Sequence, residues 1–324
     1  LLNLIFRIII LLIVSTNSFA ISPRVIYGKD NRVEISYFES QSFRDMSRSV
    51  AALIDKELLA PSLDGSGNQC LTMWVESIQH SMLLCDGERF EKQPALSTCT
   101  GFLIADDLLL TAGHCYGKDV VSSERRCRDF VWMFDYTDTQ SGKFSSRPDE
   151  DYSNLCFQKS SVYGCKEIVS IGYTSIATQN SDFKTDYAII RLDRSVNDRR
   201  PLSLRLAGKV QVGTPLVVVG HPWGMPMKAA DGASVKFTVG NSFFGANLDT
   251  FGSNSGSPVF NAESGLVEGV LVRGKPDIYN DAANRCFKVN VCSDDGLNCN
   301  NGNGLDSEVV ITTLAILEHA GLEL

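Results

Sequence analysis

Histidine is scarce in this chain of 324 residues, occurring only as His80, His114, His221 and His319. Chemistry that needs an imidazole base near neutral pH must therefore draw on one of four positions. Other absences narrow the field. No two cysteines form a CxxC pair, and the nearest spacings, Cys286 to Cys292 to Cys299, do not match the common zinc patterns. Neither a metal nor a cofactor is expected. No long basic run follows residue 25, and the formal net charge is -8. That argues against nucleic acid and anionic lipid as partners. The one marked apolar run, Leu4 to Val14, is too short to span a bilayer comfortably, so no stable membrane span is expected. Internal repeats and long low-complexity tracts are also missing.

That apolar run is followed by polar Ser15, Thr16 and Asn17, then by Ser18-Phe19-Ala20, a small-x-small pattern. Residues 1–20 therefore read as a signal peptide, giving a secreted or periplasmic protein. Ten cysteines stand behind it, and an even count in an exported chain reads as disulfides. Cys70 and Cys85 can form a local bridge, and Cys99 with Cys115 a second. The remaining six cysteines allow fifteen pairings, Cys127 with Cys165 among them.

Residues 21–95 form a mixed N-terminal extension. Within it, Phe43 to Leu59 fits a short amphipathic helix or a helix leading into a strand. From Thr98 onward, short apolar runs alternate with Gly, Pro, Asn and Asp. Gly101–Ala105, Leu108–Leu110, Phe130–Phe134, Ala188–Ile190, Leu216–Val219, Pro258–Phe260 and Val267–Val272 read as strands. Many short strands indicate an all-β barrel or sandwich. Ser307 to Leu324 reads as a strand running into a terminal helix. The Asn- and Gly-rich stretch Asp294 to Asp306 reads as a solvated loop tethered by a disulfide.

Three runs carry the chemistry: Thr111-Ala112-Gly113-His114-Cys115, then Asp186-Tyr187-Ala188-Ile189-Ile190, then Gly252-Ser253-Asn254-Ser255-Gly256-Ser257-Pro258. A serine hydroxyl is a weak nucleophile until a base accepts its proton, and the base needs a partner that fixes its tautomer. His114 follows an apolar strand, and a Cys99–Cys115 bridge would pin its loop. Asp186 opens a buried strand, where a carboxylate needs donors. Asp182 and Asp193 are its rivals. Ser255 lies in a tight turn whose Ser253 and Ser255 amides can form an oxyanion hole. Ser253 and Ser257 are the rival nucleophiles. His, Asp and Ser in that order is one of the known chain orders of the hydrolytic triad.

These motifs resemble the chymotrypsin/trypsin-like serine endopeptidases. The match is nearest to bacterial secreted enzymes of the staphylococcal glutamyl-endopeptidase type, through Leu248 to Asn261, Val219-Gly220-His221-Pro222 and Val25 to Arg32. The resemblance implies two antiparallel six-stranded β-barrels, with a C-terminal helix and an N-terminal extension, and residues 96–324 as the peptidase domain. It also implies a short propeptide, residues 21–24, cut after Arg24. Asn254 departs from the animal enzymes, which carry an aspartate there to pair with the new N-terminal amine. Asp249 stands where trypsin-like enzymes place the pocket carboxylate for Lys or Arg, which favours a basic residue before the scissile bond. Thr250 resembles the glutamyl enzymes, yet Leu271 lies near their expected pocket histidine. Arg273 either meets acidic substrates or neutralises Asp249. The expected function is an exported, monomeric serine endopeptidase acting on protein or peptide substrates. The alternative is an inactive protease homologue acting as an exported binding protein.

Overall fold

Apolar runs this short, cut by turn residues, favour strands over helices. The structure, a computed structural model, describes residues 25–63, 69–73, 75–117, 119–141, 157–173, 186–274, 276–299 and 307–322. The first half builds β1 (Val50–Asp55), β2 (Cys99–Leu103), β3 (Leu108–Thr111), β4 (Phe130–Phe134), β5 (Val162–Tyr173) and β6 (Asp186–Leu192). These pair antiparallel in the order β1-β2-β3-β6-β5-β4, and β4 returns to β1 to close a barrel.

The second half builds β7 (Pro215–Gly220), β8 (Lys228–Val239), β9 (Phe243–Ala246), β10 (Pro258–Asn261), β11 (Val267–Arg273) and β12 (Glu308–Thr312). Their order is β7-β8-β9-β12-β11-β10, closed by β10 on β7. The two barrels thus repeat one strand order, and closure leaves neither with an open sheet edge. The all-β, two-barrel fold expected from the sequence is the one formed.

The longer helices among the described residues are α1 (Gln41–Ser47), α2 (Val120–Asp129) and α3 (Thr313–Ala320). Asp119 starts α2 through a capping box with Ser122. Thr312 caps α3, which ends at Gly321 in the left-handed conformation. The ambiguous stretch after Phe43 resolves as helix, then strand. None of the helices among the described residues is long and apolar enough to cross a membrane.

The interior of the second barrel holds Leu216, Val218, Phe244, Leu271 and Val310. A larger cluster joins first-barrel side chains such as Phe102, Leu109 and Trp132 to Val217, Phe260 and Val270 of the second, so one apolar layer glues the two together. Each such side chain, fully buried, contributes roughly 1.5–3 kcal/mol. Gly101 makes room in that layer, because a Cβ there would collide with Leu109 and the Trp132 ring.

Part of the N-terminal segment, expected to pack on the first barrel, is built into the barrels. Its β1 is a stave of the first barrel, while Val33–Glu34 pairs with β8 of the second. Further upstream, Ile26–Tyr27 runs parallel to Val291–Cys292. The disulfides also depart from expectation. Cys99–Cys115 and Cys127–Cys165 form, but Cys85 bonds to Cys286 and so leaves no Cys70–Cys85 bridge. Cys127 lies on α2, so its bond joins that helix to β5. Cys292–Cys299 tethers part of the Asn-rich loop. Residues 1–24, including the expected signal peptide and the cut after Arg24, lie outside the described residues.

Candidate active site

The strand β3 is buried throughout, and it ends in a single tight turn, Gly113–Cys115. Gly113 lets that turn lie flat against β5 and β6, since a Cβ would strike the Gly172 carbonyl and the Tyr187 backbone. The close approach sets His114 over Asp186, the first residue of β6. The His114 backbone N–H donates to Asp186 Oδ1 at 2.9 Å, and its ring Nδ1 lies 2.9 Å from Oδ2 and 3.2 Å from Oδ1. Asp186 is 2% exposed, so these donors offset the cost of burying its carboxylate. On the other side, Cys115 is bonded to Cys99 of β2, which ties the turn covalently to the barrel wall.

Ser255 comes from the second barrel, in the turn between β9 and β10. Its Oγ lies 2.8 Å from His114 Nε2. With the Nδ1 proton donated to Asp186, Nε2 is left as the acceptor for the serine hydroxyl. Gly256 stands at φ +90°, and a Cβ there would fall on the Thr100 carbonyl oxygen and Thr111 Oγ1. Only glycine therefore lets the Ser255 turn sit this close to β2 and β3. Ser253 is left-handed at φ +65°, a conformation that costs a non-glycine residue roughly 1 kcal/mol. The turn is held by Asn254 N–H to Phe251 O at 3.2 Å and Ser257 N–H to Asn254 O at 3.0 Å.

The seam between the barrels runs through Thr100, which the sequence motifs did not single out. Its backbone N–H donates to Ser255 O at 2.8 Å and its hydroxyl to Ser253 O at 3.1 Å. Its hydroxyl oxygen accepts the His221 N–H at 3.1 Å, and its carbonyl accepts the Thr111 hydroxyl at 2.6 Å. One buried residue of the first barrel thereby fixes the serine turn of the second.

The structure separates the rivals. Asp193, at the far end of β6, accepts the Gly164 N–H, and Asp182 lies outside the described residues. Ser257 is buried and donates to Asn254 Oδ1 at 3.1 Å. His80 is exposed beside Glu76. His319 reaches Tyr187 OH at 2.9 Å. His221 is fully buried, stacked on Tyr136, and burial drives its ring down to about 3, so it stays neutral. Cys99, His114 and Cys115 cluster as metal ligands would, but the two sulfurs are bonded to each other and offer no thiolate.

The expected substrate pocket is redistributed. Asp249, read as a pocket carboxylate, is 4% exposed and has both oxygens engaged by the N-terminal segment: Tyr27 N–H to Oδ1 and Asn31 N–H to Oδ2, each at 2.7 Å. Thr250 is fully buried and accepts from Asn254 Nδ2. Leu271 belongs to the second-barrel core. The Arg273 charge faces Asp186 and Tyr173, while burial lowers its affinity for the proton. The cation felt by Asp249 is Arg32, and desolvation raises the Asp249 carboxyl to about 6. Asn254 carries no charge, as its sequence position already indicated, and both ends of its amide are used locally. Asp277 also went unnoticed in the sequence, since no motif surrounds it. It accepts Trp223 Nε1–H at 2.6 Å and the Gly252 N–H at 2.9 Å, bracing the serine turn from behind.

Two closed barrels of one strand order, joined by an apolar layer with the Ser255 turn at the seam, define the chymotrypsin-like class of two-barrel folds. The model of the trypsin-like peptidase domain matches residues 99–270, more than half of the chain, and the chain belongs to that family. Among solved structures, a Glu endopeptidase is similar at 15% identity, with 91% of this chain and 97% of that one covered and a TM-score of 0.46. An inactivated protease paralogue of the scabies mite is similar at 13% identity, with the same coverage and a TM-score of 0.45. No curated protein matches the sequence at a significant level.

Proposed function

We propose that the protein is an exported serine endopeptidase that cleaves peptide bonds through an acyl-enzyme. The observation that carries this reading is the continuous chain from Asp186 through His114 to Ser255, closed by contacts of 2.9 Å and 2.8 Å. Such spacing lets His114 take the Ser255 proton as Oγ attacks the scissile carbonyl. The same proton then passes to the leaving amine. Water, deprotonated by His114, attacks the ester carbon, and Ser255 leaves with the proton restored. Asp186 holds the imidazole and balances its positive charge in both half-reactions.

The oxyanion of each tetrahedral intermediate is received by the Ser253 and Ser255 backbone N–H groups. Support for that assignment comes from the left-handed Ser253, which turns the chain just before the nucleophile. A preference for basic residues before the scissile bond loses its sequence basis, because Asp249 spends its carboxylate on Tyr27 and Asn31. Export through the leader 1–20 agrees with the four disulfides among the described residues.

A fluorophosphonate probe tests the reading directly. Wild-type protein is expected to be labelled at Ser255, and Ser255→Ala to be unlabelled and inactive on casein. Failure of the wild-type protein to react would favour the inactive-homologue reading instead.

A further inference from the structure

The serine turn rests on the N-terminal segment at three consecutive residues. Asp249 takes N–H groups from Tyr27 and Asn31, each at 2.7 Å. Thr250 donates its own N–H to Val25 O at 3.4 Å. Phe251 is sandwiched, with the Arg32 guanidinium 3.8 Å from its ring on one side and the Trp223 ring stacked at 3.8 Å on the other. Val25, Ile26, Tyr27 and Arg32 are each no more than 2% exposed, so the segment is inlaid and not draped. Ile26 packs in the same apolar cluster as Phe251 and Trp223.

From there the support passes to the nucleophile in one step. Thr250 Oγ1 accepts from Asn254 Nδ2, and Asn254 directly precedes Ser255. Other partners of the turn, among them Asp277 at Gly252 and Thr100 at Ser253 and Ser255, hold residues that follow 251. At residue 249 the side-chain partners in the structure come from the N-terminal segment alone among the described residues.

We infer that Asp249 is a positioning residue, through which the N-terminal segment 25–32 sets the geometry of the serine turn. The inference rests on the proposed role of Ser255. It also assigns a site for coupling the N-terminal segment to turnover that does not use residue 254, where Asn254 offers no charge. Asp249 is suited to this because its two oxygens each accept one backbone N–H, whereas an asparagine of the same shape would turn an NH2 donor toward one of them. Without the two N–H donors, a carboxylate buried at this depth has to turn toward water, and residues 249–251 move with it.

The test compares full-length wild type, Asp249→Asn and Asp249→Ala. The asparagine keeps one acceptor and tests the idea even if the alanine variant fails to fold. Three readouts are taken: the second-order rate of fluorophosphonate labelling, kcat and KM on a short peptide ester, and amide hydrogen exchange across the chain. The expected result is a graded loss of labelling and of kcat, about 10-fold for asparagine and about 100-fold for alanine, with KM changed by less than about threefold. Exchange is expected to rise across 249–257 while β1 to β3 keep their protection. Labelling and kcat of both variants within about twofold of wild type would overturn the inference. So would a rise in exchange spread evenly over both barrels, which marks general destabilisation. If wild-type protein itself does not react with the probe, the peptidase reading fails, and the exchange pattern across 249–257 alone decides the coupling.

Discussion

The two barrels share a strand order and differ in what holds their functional ends in place. In the first barrel, the turn bearing His114 is locked by Cys99–Cys115, and α2 is stapled to β5 by Cys127–Cys165. In the second, neither described disulfide joins two staves: Cys85–Cys286 and Cys292–Cys299 lie in outlying segments. The Ser255 turn is held instead by buried polar groups, Asp249, Thr250, Asn254 and Asp277, each 4% exposed or less. Covalent closure restricts the unfolded chain as well as the folded one. A buried hydrogen-bond network acts only once the fold exists, and each member is costly when its partner is lost. The His114 turn is therefore pinned by chain connectivity and the Ser255 turn by tertiary contact.

The largest test of this division lies at the seam where the two meet. Ser255→Ala and His114→Ala should each lower kcat/KM by about four orders of magnitude or more, and the double variant should lose little beyond either single one. Additive losses, measured on a peptide substrate, would show that the two residues do not act as one unit.

Next in size is the covalent side. Replacing both Cys99 and Cys115 by serine should cost about 3 kcal/mol, as expected for a short loop with a sequence separation of 16. Thermal unfolding measures the loss. Hydrogen exchange should rise around 112–116 and not across 249–257, and the reverse pattern would break the comparison.

A pH series probes the polar side. Burial raises Asp249 to about 6 from 3.8. Between those values the folded state keeps a proton that the unfolded chain has released, so the Asp249 contribution to stability falls as pH rises through that window and then levels off. Asparagine does not titrate. The Tm of Asp249→Asn minus that of wild type should therefore increase from about pH 4 to pH 6. A difference that stays flat would mean the carboxylate is solvated.

The smallest expected effect concerns the bridge between barrels. Thr100→Val keeps the shape of the side chain but removes the hydroxyl that donates to Ser253 O and accepts from His221. About 1–3 kcal/mol should be lost, since both partners are buried. Because the hydroxyl touches the serine turn, kcat should fall as well, and an unchanged kcat would show that the turn keeps its shape without Thr100.

Much of this site can be read along the chain. His114, Asp186 and Ser255 each sit in a local motif, and the three lie within hydrogen-bond distance in turn, from Asp186 to His114 to Ser255. Strands β2, β3, β4, β6, β7, β10 and β11 announced themselves as short apolar runs. The others did not. In β5, few residues are fully buried, and β8 begins with a buried lysine and carries Asp231 and Gly232 at its middle, so neither shows an apolar run. Lys228 is tolerated there because Glu34 Oε2, Gln93 Oε1 and the Pro226 carbonyl receive its ammonium at 2.9, 2.8 and 2.6 Å. Two of those partners come from far upstream.

Distance along the chain explains the remaining differences. Cys85 finds Cys286 across 201 residues, where proximity in sequence favoured Cys70. Asp249 finds Tyr27 and Asn31 across 222 and 218 residues. Taken alone, its position before the serine pointed to a substrate pocket. The sequence by itself determined the residue types, the order and the flanking glycines of the three motifs, which the fold brings into one hydrogen-bonded line. Only the tertiary structure decided what supports that line. The partners of a buried charge are set by which distant segments the barrels fold together, and a buried charge must find them wherever they lie.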